Sequence, residues 1–201
     1  VDAIQTSILD EEIDIHQNRL SLLLSEYFTC CDHDRKVDLQ SQISKSINAQ
    51  LDANKINSAT LSKLKTINIA ANNQFFLWHT WFADVFAKGG FDIVIGNPPY
   101  IGEKGHKEIF QPVKNDIYLG QYYLGKMDYF YFFFHLAFNM LSFNGIGTFI
   151  TTNYYPTALG ARKLRADIKE RMNIKTLFNL GELRLFENAP GQHNMISLFS
   201  K

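Results

Sequence analysis

Neither glycine nor proline occurs in the first 88 residues; all 12 glycines and all 5 prolines fall from Gly89 onward. Glycine and proline supply the positive φ and the fixed φ of tight turns, so a long stretch without either is poorly suited to a sheet and well suited to helices. The apolar spacing agrees. Leu9, Ile13, Leu20, Leu24 and Tyr27 recur at three-to-four intervals and predict one amphipathic helix. A second pattern runs from about Lys36 to Leu51 and a third begins near Ser58, with the polar stretches "CDHD" and "DANKINS" between them. Residues 1–74 are therefore expected to form a helical segment without strands.

From Phe91 the pattern changes to strands alternating with helices. The expected order is a strand over 91–95, a loop rich in Gly and Lys over 101–125, a helix over 128–142 and a turn at Asn144-Gly145. A strand over 146–152, a helix over 158–172, and strands over 174–179 and 195–199 follow. Such alternation predicts an α/β fold in which βαβ crossovers build a parallel sheet covered on both faces. Ligands of such sheets bind beyond the carboxyl ends of the strands. The loop Gly102 to Gly125 shows no apolar periodicity and is expected to be mobile.

Composition excludes more than it selects. Lys plus Arg and Asp plus Glu number 20 each, so no global basic field marks a nucleic-acid binder, and such a partner requires a local patch. Cys30 and Cys31 are adjacent, with neither disulfide nor metal spacing, which fits a reducing, cytoplasmic setting. His106 and His193 lack partners at ligand spacing, so no metal is expected. The run "YFYFFFHLAFNMLSF" is too short to span a bilayer and is broken by His135 and Asn139, which predicts a buried helix and no membrane partner.

The chemistry concentrates in "FDIVIGNPPY", where a strand ends in Asn97-Pro98-Pro99-Tyr100. An Asn side-chain oxygen and the carbonyl of the following proline, held by two ring-locked φ angles, form converging acceptors suited to a planar NH2 group. Accepting both hydrogens withdraws the nitrogen from conjugation and leaves its lone pair free to attack an electrophile. Tyr100 can stack on the ring bearing the amine, as flipped bases are held. The plainer alternative is a turn after a strand, since Asn-Pro is a common turn former. Lys104, Lys107 and Lys114 follow the motif, where they could meet a phosphate backbone or simply be solvated.

"FDIVIGNPPYI" resembles the catalytic motif of the amino-group DNA methyltransferases, specifically the N6-adenine enzymes of restriction-modification systems, including those fused to an endonuclease. "FFLWHTWFADVFAKGG" before it, and "MDYFYFFFHLAFNMLSFNGIGTFITTNYY" and "FNLGELRLFENAPGQHNMISLF" after it, are similar to that family's flanking segments. The resemblance covers about residues 75–201, and it implies a partial S-adenosylmethionine-dependent, Rossmann-like methyltransferase fold behind the helical segment. It further implies that Asn97 and Pro98 take the adenine amine, with Pro99 and Tyr100 against the base and Phe186 at its other face or edge. Asp84 is similar to the acidic residue that contacts the cofactor's adenine, and Asp128 begins the helix lining the cofactor site in relatives. The family's glycine-rich cofactor loop has no counterpart before Asn97, and no target-recognition segment follows the last strand, so the chain reads as a piece of a larger enzyme. The implied reaction is methyl transfer from S-adenosylmethionine to N6 of a flipped adenine in double-stranded DNA. The remaining alternatives are a glutamine-amide or RNA-base methyltransferase with the same motif, and a non-catalytic DNA-binding piece.

Overall fold

The computed structural model describes residues 2–53, 62, 76–183, 185–186 and 193–201, with side chains described from Ile15 onward. The chain divides into two compact units, Val1–Ala83 and Asp84–Lys201.

The described residues of the first unit are mainly helical, in line with the missing glycines and prolines. Helix α1 (Asp2–Thr29) and helix α2 (His33–Ala53) pack together through Leu20, Leu24, Ile43 and Ile47, all buried. Asp32 starts α2 as a cap, its carboxylate accepting from the Arg35 backbone N–H at 2.7 Å. The aromatic run joins this core. Trp81, at the end of the short helix α3 (Trp78–Trp81), is 3% exposed, with the Tyr27 ring 5.5 Å and the Phe76 ring 5.8 Å away. The helix expected near Ser58 lies outside the described residues.

The second unit is α/β. After the short helix α4 (Ala83–Ala87) come β1 (Phe91–Gly96), α5 (Lys107–Asn115), a 3-10 turn (Gly120–Tyr122), α6 (Phe130–Met140) and β2 (Leu141–Thr152). A 3-10 turn (Leu159–Ala161), α7 (Arg162–Arg171), β3 (Asn173–Gly181) and β4 (Asn194–Ser200) complete it. The sheet order is β1-β2-β4-β3. β1 and β2 are parallel, and β4 inserts antiparallel to both β2 and β3.

Four expectations are corrected here. The sheet is mixed, because β4 lies between β2 and β3 and pairs antiparallel with both. It is also covered on one face only among the described residues. The crossovers β1 to β2 and β2 to β3 progress the same way along the sheet, and right-handed crossovers with a common direction place their helices on a common face. That face carries Phe149, Thr151, Met195, Ser197 and Phe199, all buried against α6 and α7. On the other, Ile93 is 66% exposed, Ile95 80% and Phe178 57%. Finally, the segment expected to be a mobile loop contains α5, which buries Phe110 and Val113 despite Pro112 within it. The turn at Asn144-Gly145 proves to be an irregularity inside β2, with Asn144 at φ 66 and pairing shifted between Phe91 and Ile93.

The core is aromatic. Phe134 is fully buried, with the rings of Phe149, Tyr155 and Phe199 at 4.6, 5.5 and 5.6 Å. His135, also fully buried, donates from Nδ1 to Asp167 Oδ2 at 2.5 Å and stacks on Tyr122 at 3.6 Å. Arg171 clasps the same carboxylate, with Nη2 2.6 Å from Oδ2. Burial lowers the pKa of His135 despite its carboxylate partner. Burial opposes the Asp167 charge too, but His135 and Arg171 hold its carboxyl below the usual range. With Arg171 already balancing the carboxylate, the pair is neutral imidazole and ionised Asp167.

Candidate active site

The Asn97 segment leaves the sheet at the carboxyl end of β1 because the strand can pair no further through two prolines. Gly96 is needed just before it, since a Cβ there would lie 2.8 Å from the Phe149 ring. Pro98 is buried, Asn97 and Pro99 are exposed, and Tyr100 is half-buried with Phe130 edge-on at 6.4 Å. The Tyr100 hydroxyl lies 2.6 Å from Asn97 Oδ1 and 3.0 Å from the Ile150 main-chain oxygen. Burial raises the pKa of this phenol, so it remains a neutral donor at ordinary pH.

Main-chain bonds then staple the segment after the motif to the one entering α6. Tyr129 N–H donates to Ile101 O and Glu103 N–H to Met127 O, each at 2.8 Å, and Gly102 pairs with Asp128 between them. Asp128 therefore sits beside the motif segment and two residues ahead of the helix it was expected to begin. Burial raises the pKa of its carboxyl, partly countered by the Tyr131 hydroxyl donating at 2.9 Å.

The staple also closes a groove of about 810 Å3, lined by Glu103, Lys104, Lys107, Lys114, Lys126 and Asp128 among others. The lysines separated in sequence thus line one groove. Glu103 loses hydration there, but the Tyr123 hydroxyl, the backbone N–H groups of Met127 and Lys126, and Lys107 hold its carboxyl below the usual range. Lys114 Nζ lies 5.3 Å from the centre of the Tyr123 ring. Glu103, Tyr123 and Lys126 were not singled out by the sequence; a lone Glu between Gly and Lys carries no signal until the chain folds back on it.

No hydrogen bond, ion pair or ring contact links the other expected residues to the motif among the described residues. Asp84 is exposed on α4 and makes no side-chain hydrogen bond or ion pair with the other site residues. Phe186 is half-buried, and no ring contact joins it to Tyr100 among the described residues.

Residues 6–186 match the family described as the Eco57I restriction-modification methylase. The chain belongs to that family. Among solved structures it is similar to a putative class I S-adenosylmethionine-dependent methyltransferase from Listeria monocytogenes, at 17% identity and a TM-score of 0.39. That match covers 56% of this chain and 32% of the other, so the chain spans about a third of the protein it matches. No curated protein matches it.

A methylase of this family takes its methyl group from S-adenosylmethionine. The residues present fit such a donor in part. Asp128 is a half-buried carboxylate with one side-chain hydrogen-bond donor among the described residues, and burial raises its pKa despite that donor. The missing side chain of Gly102, whose Cβ would lie 3.5 Å from Asp128 Oδ1, leaves space in front of it. A ligand bearing hydroxyl or amino hydrogens would relieve the desolvated charge. The first 88 residues offer no glycine turn through which backbone N–H groups could approach such a ligand closely.

Proposed function

We propose that this chain carries the amine-binding part of a DNA-adenine methyltransferase, transferring a methyl group to N6 of a flipped adenine. The observation that carries the reading is Asn97: an exposed carboxamide at the carboxyl end of a parallel strand, set on a buried proline and oriented by the Tyr100 hydroxyl. In this reading Asn97 Oδ1 and the Pro98 carbonyl take the two amine hydrogens. The Tyr100 ring and Phe186 hold the base, with Pro99 shaping the approach. Bound S-adenosylmethionine supplies the electrophilic methyl; Asp128 holds that donor's hydroxyl or amino hydrogens, and Asp84 its adenine.

The choice of DNA is supported by the groove beside the motif. Lys104, Lys107, Lys114 and Lys126 offer four positive charges against the two carboxylates of Glu103 and Asp128, a local patch in a chain of zero net charge. Phosphate contacts of this kind set register and affinity, while the base is read in the pocket. The remaining cofactor and DNA-sequence contacts come from the rest of the same polypeptide.

The test is single-turnover methylation of duplex DNA by the full-length protein. Asn97→Ala should lower the rate about 100- to 1000-fold, as loss of one preorganised acceptor does, with DNA affinity nearly unchanged. A parental rate would reduce Asn97 to a turn residue. Methylation of a glutamine-containing peptide or RNA, with none of DNA, would transfer the same geometry to a different amine.

A further inference from the structure

The Tyr100 hydroxyl faces two acceptors, Asn97 Oδ1 at 2.6 Å and the Ile150 carbonyl oxygen at 3.0 Å. A phenol has one proton and can satisfy one of them at a time. The Asn97 carboxamide ends in a torsion with a broad, roughly two-fold preference, and it has no other side-chain partner among the described residues. An exposed amide of that kind rotates unless something holds it. The Ile150 carbonyl belongs to β2, whose Phe149 is the register partner of Gly96 in β1. One hydroxyl therefore connects the functional side chain to the ends of both parallel strands.

We propose that the Tyr100 hydroxyl is a positioning group for Asn97, holding the carboxamide in one orientation through Oδ1 in the free protein and turning to the Ile150 carbonyl when a substrate amine arrives. The inference rests on the reading of Asn97 as the amine acceptor and deepens it. In the free protein the hydrogen bond fixes which end of the carboxamide lies at the Tyr100 hydroxyl, namely Oδ1. During methyl transfer the amine nitrogen gains positive charge, so its acceptor should be as electron-rich as possible. A hydroxyl proton on the same oxygen would weaken that acceptor. Rotation about one C–O bond carries the proton to Ile150 instead, and no proton changes its owner. This role belongs to the hydroxyl alone; packing against a base belongs to the ring.

Tyr100→Phe separates the two roles, because it keeps the ring. In the full-length protein, single-turnover methylation of duplex DNA should fall on the order of tenfold in Tyr100→Phe, the usual weight of one hydrogen bond. DNA affinity and the fluorescence of 2-aminopurine at the target position should not change. In an Asn97→Ala background the same substitution should cost nothing further, since the hydroxyl acts through Asn97. A parental rate for Tyr100→Phe would overturn the inference alone, as would an undiminished tenfold loss in the Asn97→Ala background. A parental rate for Asn97→Ala would overturn the amine-acceptor reading with it. A second measurement needs no substrate: the side-chain 15N and 1H resonances of the Asn97 carboxamide. Tyr100→Phe should shift and average them, and identical spectra with and without the hydroxyl would also overturn the inference.

Discussion

The two faces of the four-stranded sheet are made from similar residues and treated oppositely. Beneath α6 and α7, Phe149, Met195 and Phe199 are at most 4% exposed; on the reverse, Ile93, Ile95 and Phe178 are more than half exposed. Hydrophobicity does not distinguish them. Crossover handedness does, because both parallel connections place their helices on one side. The covered face ties the unit together and fixes the strand ends from which Asn97 and Ile150 project. The bare face adds little to the stability of these residues taken alone.

That contrast can be broken by truncating one residue packed against the covered face and one residue of the bare face. Phe134→Ala, at the centre of the covered side, should cost about 3–5 kcal/mol, the range for loss of a buried phenyl ring. Ile95→Ala should stay within about 0.5 kcal/mol, as exposed substitutions do. Urea unfolding of the 201-residue chain measures both. Equal losses would mean that the bare face is covered in solution.

The second test concerns charge under the covered face. Asp167→Asn removes the carboxylate shared by His135 and Arg171, and should cost about 2 kcal/mol, in the range for hydrogen bonds to charged groups. The pH dependence follows from both directions of shift. His135 has a lowered folded pKa, so the unfolded chain takes up its proton first and stability declines as pH falls through the unfolded value of about 6.5. Asp167 also has a lowered folded pKa, so its stabilisation is present above the unfolded carboxylate value of about 3.9 and is lost as pH falls toward the folded one. Thermal melts from neutral to acid should therefore decline in two steps, and Asp167→Asn should erase the lower one. A melting temperature flat down to pH 5 would contradict the neutral, buried imidazole.

The sequence was most legible where one local signal sufficed. The absence of Gly and Pro announced α1 and α2, and "FDIVIGNPPY" announced a strand end with an acceptor pair. Helix α5 was hidden because Pro112 and the flanking lysines masked the spacing of Ile109, Phe110 and Val113, which becomes decisive only when a core receives it. The direction of β4 was equally hidden, since an isolated strand has the same alternation whether it runs up or down. Within the site, Asn97 and Tyr100 are three residues apart and could be read together. Ile150 and the groove residues Glu103, Tyr123 and Lys126 meet the motif only through pairing of β1 with β2 and the Ile101–Tyr129 staple, contacts that no local pattern encodes.

The smallest effect should come from Asp128, at the groove and away from both faces of the sheet. Its folded carboxyl pKa is raised by burial, against the single opposing contribution of Tyr131, so ionised Asp128 costs stability wherever the unfolded chain would already be charged. Asp128→Asn removes that cost and keeps an acceptor for the Tyr131 hydroxyl. The group is half-exposed and water screens it, which limits the gain to a few tenths of a kcal/mol at neutral pH. The gain should vanish in acid, where the parental carboxyl is protonated in both states. If Asp128 serves the methyl donor, the same substitution should weaken S-adenosylmethionine binding by the full-length protein, measured by calorimetry, while the chain itself becomes slightly more stable. Opposite signs for binding and stability would mark a residue kept for its ligand; a loss in both would make Asp128 part of the scaffold.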